Sequence, residues 1–115
     1  MKVAGIGCRA GAPPEALRDA LARAEAQGGR VAALATIPAR EAEARGLNRP
    51  LHLVGVAGIA TPTQSPRIMA LHGTGSVAEA AALAACGPGA RITVPRVTSC
   101  CGCATAAIAE SEGAP

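Results

Sequence analysis

The sequence contains no Phe, Tyr or Trp. Without aromatic faces it has no platform for stacked nucleobases and no cation–π site. The interior must therefore be filled by Ala, Val, Leu and Ile. Charge is sparse as well: 11 Lys and Arg stand against 8 Asp and Glu, a formal net charge of +3. That falls short of the dense basic face that a polyanion demands, and no nucleic-acid partner is expected. No apolar run is long enough for a membrane span, and no charged-then-apolar leader precedes Val3-Ala4. A cytoplasmic location without a membrane partner is the expectation. No Gly-Lys-Ser/Thr follows the early glycines, which excludes a Walker phosphate loop.

What is present fits a globular chain, with 50% hydrophobic residues over 115 positions. That length supports one domain, residues 1–115, with its own core. Its most informative stretch is Gly5-Ile6-Gly7-Cys8-Arg9-Ala10-Gly11, between the apolar Val3-Ala4 and a helix opening at Pro13-Pro14. Glycines let a backbone turn sharply and expose N–H groups, and a helix N-terminus then points at whatever fills the turn. The segment predicts an anion-receiving loop, or equally a plain tight turn. Arg9 adds a planar donor fork suited to carboxylate or phosphate, and Cys8 a thiol whose pKa such surroundings would lower. The dinucleotide fingerprint fails, because Ala10 holds the third glycine position and Ala35-Thr36 ends the second strand where an acid is needed.

Periodicity then divides the chain. Lys2 to Ile6 reads as a buried strand. A helix from about Pro13 to Gln27 carries Leu17, Ala20, Leu21 and Ala24 on one stripe, with Asp19 and Arg23 paired on the wet side. Val31 to Ala35 reads as a second strand ended by Thr36, Pro38 to Arg45 as a short helix, and Leu51 to Val54 as a third strand. Gly55 to Gly75 is irregular, with one helical turn at Pro66 to Leu71, and is a candidate functional loop. Ser76 opens the clearest helix, with Ser76 and Glu79 spaced as a capping box and Gly87-Pro88 as its stop. Arg91 to Val97 and Ala104 to Ala109 read as a terminal hairpin. The pattern predicts an α/β fold, a three-layer α/β/α single domain with a mixed, mostly parallel sheet of about five strands.

The chemistry-bearing residues leave alternatives open. Of 5 cysteines, Cys100, Cys101 and Cys103 fall in one loop and Cys8 lies elsewhere, while His52 and His72 stand alone. Adjacent cysteines usually point apart and no second ligand pair exists, so free or oxidisable thiols are expected and no metal. Glu79 is the only acid between Glu43 and Glu110. It reads as the capping partner of Ser76 or as a proton carrier. Cys8 and Glu79 are the catalytic candidates, and neither has a recognisable partner in sequence.

Four stretches together resemble a known family: the Gly5 to Gly11 loop; Leu34-Ala35-Thr36-Ile37; Gly75-Ser76-Val77-Ala78-Glu79-Ala80-Ala81-Ala82-Leu83; and Val94-Pro95-Arg96 followed by Ala104-Thr105-Ala106-Ala107-Ile108-Ala109. In this order and spacing they resemble the CobE / CbiG C-terminal domain family of cobalamin biosynthesis. The resemblance implies an α/β/α domain with a role in building the corrin ring. In the anaerobic route such a domain ends a two-domain protein linked to lactone opening of cobalt-precorrin-5A, and a free-standing chain of this length looks like the CobE form of the aerobic route. The implied ligand is a polycarboxylate precorrin or hydrogenobyrinic-type tetrapyrrole intermediate, bound for processing or for carriage. Gly5, Gly7, Cys8, Arg9, Gly11, Thr36, Ser76 and Glu79 are the implied contacts, and the Gly55 to Gly75 connection a further wall. Other cobalamin-pathway enzymes are left open as partners, and no cofactor is implied. Two positions depart from the family pattern: Pro38 stands where an acid is typical, and Arg40 where a Lys is.

Overall fold

Residues with small side chains let a helix lie almost on a sheet, and this chain uses Ala and Gly in that way throughout. The structure is a computed structural model and describes residues 1–111; the end of the expected 1–115 domain, residues 112–115, lies outside them. In chain order the elements are β1 (Lys2–Cys8), α1 (Pro14–Gly28), β2 (Ala33–Thr36), a 3-10 turn (Pro38–Arg40) running into α2 (Glu41–Arg45), β3 (Leu51–Leu53), α3 (Pro66–His72), α4 (Val77–Cys86), β4 (Arg91–Thr98) and β5 (Ala104–Glu110). The five strands form one mixed sheet in the order β3-β2-β1-β5-β4. β1 pairs in parallel with β2, and β2 with β3, while β5 runs antiparallel to both β1 and β4. The expected α/β architecture is therefore present.

Each face of the sheet has its own apolar layer. Ala4 and Ile6 of β1 pack with Ala16, Leu17, Ala20, Leu21 and Ala24 of α1, so the stripe expected on that helix is its buried face. Val3 and Ala35 face the other way, against Val77, Ala80 and Ala81 of α4. Alternate residues of one strand thus serve two helices, which is the period of a strand covered on both sides. β1 extends to Cys8, beyond the expected end at Ile6, because Gly7 and Cys8 still pair with Thr105 and Ala104 of β5. The sheet continues to hold the chain where glycine content alone suggests a turn. Among the described residues, no single helix is long and apolar enough to cross a membrane.

β4 is an edge strand and carries an extra residue between Val94 and Val97, whose partners on β5 are Ile108 and Ala106. Pro95 has no N–H to give a ladder, and proline within a sheet is confined to edges and bulges. The bulge falls at Pro95 and Arg96, so the Arg96 N–H must find a partner outside the sheet.

Gly5 sits where β1 and α4 touch. A Cβ at this position would lie 1.7 Å from the Ala78 carbonyl oxygen and 2.7 Å from the Ala82 nitrogen, both backbone atoms of α4. Gly5→Ala is expected to destabilise the fold by ~3 kcal/mol, because a helix backbone cannot yield as a side chain can. Gly11→Ala, where nothing lies within 4 Å and only φ +72° opposes a side chain, should lose about 1–2 kcal/mol. Urea unfolding followed by far-UV circular dichroism measures both; a loss below ~0.5 kcal/mol at Gly5 would contradict the close approach.

Candidate functional site

A cleft of about 490 Å³ opens at the end of the sheet where β1 and β2 finish and β5 begins. Its size lies in the range of small-molecule sites. β1 and the residues after it supply Gly7, Cys8, Arg9 and Ala10; the segment after β2 supplies Ile37 and Arg40. α3 lends Arg67, Ile68, Leu71 and His72, the start of α4 gives Val77, and the β4–β5 hairpin adds Arg96, Thr98, Cys103 and Thr105. Four arginines and a histidine line the cleft, and no Asp or Glu does. Arg9, Arg67 and Arg96 have no carboxylate partner among the described residues, whereas Arg18, Arg23, Arg45 and Arg49 all do. Arg40 is held by the backbone, its Nε donating to the Cys8 carbonyl at 3.0 Å. Guanidinium groups thus share the cleft lining with apolar Ile37, Ile68, Leu71 and Val77, a combination of fixed donor forks and apolar surface.

The residues singled out in the sequence divide on this geometry. Gly7, Cys8 and Arg9 line the cleft. Gly5 faces α4 instead, Gly11 lies outside the lining, and Thr36 and Ser76 are fully buried. The Thr36 hydroxyl donates to the Ile6 carbonyl at 2.8 Å, a tie between β2 and β1. Three N–H groups of the loop after β1 are taken by partners within the chain. Arg9 N donates to the Cys103 carbonyl, Ala12 N to the Arg9 carbonyl, and Gly11 N to Oε2 of Glu43 at 2.9 Å. A carboxylate of the chain itself already takes the Gly11 N–H of the turn.

Cys8 also differs from expectation. Burial pushes its thiol up to about 11, Glu43 adds to this, and Arg40 opposes it only partly. The expected lowering by a cationic loop is overridden because the thiol is half-buried and an acid stands on the loop's far side. Cys8 is a protonated, poor nucleophile at neutral pH.

Glu79 is fully buried and absent from the cleft lining. Ser76 caps α4 as expected, its Oγ accepting from Glu79 N at 3.3 Å. The return arm of the capping box does not form. The carboxylate turns inward: Oε1 accepts from Thr63 N at 2.8 Å, and Oε2 from the Thr63 hydroxyl and from Arg96 N, each at 2.8 Å. The bulge's orphan donor is answered here. Glu79 thereby fixes two walls of the cleft from behind, the bulge that carries Arg96 and the loop that leads into Ser65 and α3.

Arg67, Ile68, Leu71 and His72 fall within the Gly55 to Gly75 connection expected as a wall, whereas Arg96 and Ile37 lie outside the expected contacts. Residues 51–115 hold only three of the 11 Lys and Arg, yet they supply half of the cleft's arginines. Proline inside the Arg91 to Val97 strand pattern was the available signal for Arg96, since it marks a bulge and a re-aimed side chain.

Two outcomes test this geometry. Glu79→Gln places an amide NH₂ among three donors, and a stability loss of ~2–3 kcal/mol is expected, with faster hydrogen exchange at the Thr63 and Arg96 amides. Unchanged exchange at those two amides would contradict the brace. Alkylation of Cys8 by iodoacetamide, followed by peptide mass mapping, is expected to keep rising with pH to about 11. A plateau near neutral pH would contradict the burial effect.

Comparison with known proteins agrees with this architecture. A family model described as cobalamin synthesis G C-terminus matches residues 2–109. No match is found among curated protein sequences. Two solved structures are similar. One is the crystal structure of CobE, described as a protein from the cobalamin (vitamin B12) biosynthetic pathway, with a TM-score of 0.77 and 31% identity over 100% of this chain and 93% of that one. The other is that of cobalamin biosynthesis protein chiG from Agrobacterium tumefaciens str. C58, with a TM-score of 0.72 and 39% identity over 98% of this chain and 100% of that one.

Proposed function

Because the chain belongs to the cobalamin synthesis G C-terminus family, we propose that its cleft binds a polycarboxylate tetrapyrrole intermediate of corrin-ring assembly. The chain is a cobalamin biosynthesis protein of the CobE/CbiG type. The observation that carries the finer reading is the composition of the cleft, with four arginines, one histidine and no acid around an apolar floor. Precorrin and hydrogenobyrinic-type compounds carry acetate and propionate carboxylates around an apolar macrocycle. Arg9, Arg67 and Arg96 can each take one rim carboxylate through a charge-assisted fork, while Ile37, Ile68, Leu71 and Val77 cover ring edge. The macrocycle enters edge first, with its opposite side left to solvent or to a partner enzyme.

Binding is favoured over chemistry by this chain's two catalytic candidates. Cys8 is held as the thiol, and the Glu79 carboxylate is buried behind the wall with three donors on it. Neither is presented to a ligand in reactive form. A carrier or presenting role for the intermediate follows from that arrangement.

The absence of aromatic residues makes the test direct, since the protein hardly absorbs near 280 nm and not at all in the visible. Hydrogenobyrinic acid mixed with the protein at micromolar concentration is expected to co-elute as a coloured band in gel filtration. Arg9→Ala, Arg67→Ala and Arg96→Ala should each weaken binding by ~1–3 kcal/mol while melting hardly changes, because these side chains make no ion pair among the described residues. Arg9→Lys should recover only part, as the fork is lost. Absence of co-eluting colour, or arginine variants that bind as tightly as the native chain, would overturn the reading.

A further inference from the structure

The hairpin between β4 and β5 holds three thiols that the proposed binding role does not use. Its loop is closed by backbone bonds from Ser99 N to the Ala104 carbonyl at 2.8 Å and from Gly102 N to the Ser99 carbonyl at 2.9 Å, with Gly102 at φ +78°. It is also tied to the body of the fold. Cys100 N donates to Oδ2 of Asp19 on α1 at 2.8 Å, and the Cys103 carbonyl accepts from Arg9 N at 3.1 Å. The left-handed glycine folds the chain back between Cys101 and Cys103, so that Cys103 Sγ lies 3.8 Å from the Cys101 carbonyl oxygen. Cys101 is exposed, and Cys103 stands at the edge of the cleft.

Ser99 gives the pair its polarity. Its side chain is buried, and its Oγ accepts the Ala104 N–H at 3.2 Å. The same hydroxyl lies 3.5 Å from Cys101 Sγ, where it can donate to the thiolate or accept from the thiol. A hydroxyl donated to sulfur favours the thiolate.

We propose that Cys101 and Cys103 are a dithiol site that is reversibly oxidised to an intramolecular disulfide by a small-molecule disulfide of the glutathione type, with Cys101 attacking and Cys103 resolving. The Cys101 thiolate attacks one sulfur of the disulfide, forms a mixed disulfide and expels one thiolate, which takes up a proton. Cys103 then gives its proton to solvent and attacks the Cys101 sulfur, closing the Cys101–Cys103 bond and expelling the second thiolate, which is protonated in turn. The protein loses two electrons and two protons; the small disulfide gains them as two thiols.

The assignment of roles agrees with the electrostatics. The Ser99 hydroxyl, and after it the Cys103 thiol, hold Cys101 below the usual thiol range, while the bond to Cys101 raises Cys103. Burial raises Cys8 and Cys86, which leaves them inert by comparison. A metal reading of the same loop is not supported, since no three His, Cys, Asp or Glu side chains converge as a ligand set among the described residues.

The full chain, reduced and freed of reductant, is incubated with glutathione disulfide, quenched with N-ethylmaleimide and measured by intact mass and peptide mapping. No corrinoid is present, so the result is independent of the proposed binding role. Loss of two hydrogens, a Cys101–Cys103 bridge in the map and recovery of both thiols with dithiothreitol are expected. Cys103→Ser should stop at a stable glutathione adduct on Cys101, and Cys101→Ser should abolish the bridge. Cys101 is exposed and Cys103 is half-buried against the core, and far-UV circular dichroism checks that both variants fold. Five unmodified thiols, a bridge using Cys100, Cys8 or Cys86, or a Cys101→Ser chain that reacts at the native rate would overturn the proposal.

Discussion

One buried carboxylate joins the parts of this molecule that wall its cleft. Glu79 is fully buried and makes no ion pair among the described residues, a placement that would be severely unfavourable for a charge left without partners. Three donors at hydrogen-bond distance offset that penalty, and each belongs to a segment that lacks a regular partner of its own. Thr63 lies in the irregular run before α3; Arg96 lies in the bulge of β4. The acid does inside the protein what a sheet ladder does elsewhere, which is to give orphaned N–H groups an acceptor. Irregular backbone can then stand at the rim of the cleft without being loose.

That arrangement depends on how near α4 comes to β1. Ala78, Ala80, Ala81 and Ala82 are fully buried, and Gly5 allows the Ala78 carbonyl to reach the strand. A layer this thin needs no aromatic residue to fill it. The composition that excluded stacking platforms and the close approach that places Glu79 behind the cleft are two views of one packing choice. Larger residues at the β1 and α4 contact would lift the helix, and the carboxylate on it, away from Thr63 and Arg96.

Much of the fold was legible because its elements are short and well punctuated. Gly and Pro bound α1 and α4, and the apolar stripe of α1 named its buried face residue by residue. Local signals failed where tertiary partners decide. Gly7 and Cys8 read as turn and lie in a strand because β5 pairs with them. The Ser76 and Glu79 spacing fits a capping box, yet only Ser76 caps, since Thr63 and Arg96 compete for the acid from sixteen and seventeen residues away. The glycine loop read equally as an anion receptor or a tight turn, and Glu43 from a helix beyond β2 takes the N–H of its Gly11. No pattern within one window of sequence carries such long-range competition. The arginines show the same limit: the chain must fold before Arg9, Arg40, Arg67 and Arg96 share a wall.

The bulge in β4 also bears on how the protein behaves at concentration. Sheet edges present unpaired donors and acceptors that can recruit a strand from another molecule. Here one edge strand, β3, is only three residues long, and the other, β4, is broken in register and interrupted by Pro95. Proline withholds a donor, the bulge twists the strand, and the Arg96 amide already points inward to Glu79. Neither edge can template a continuous intermolecular ladder. The irregularity that delivers an arginine to the cleft is at the same time a guard against edge-to-edge aggregation.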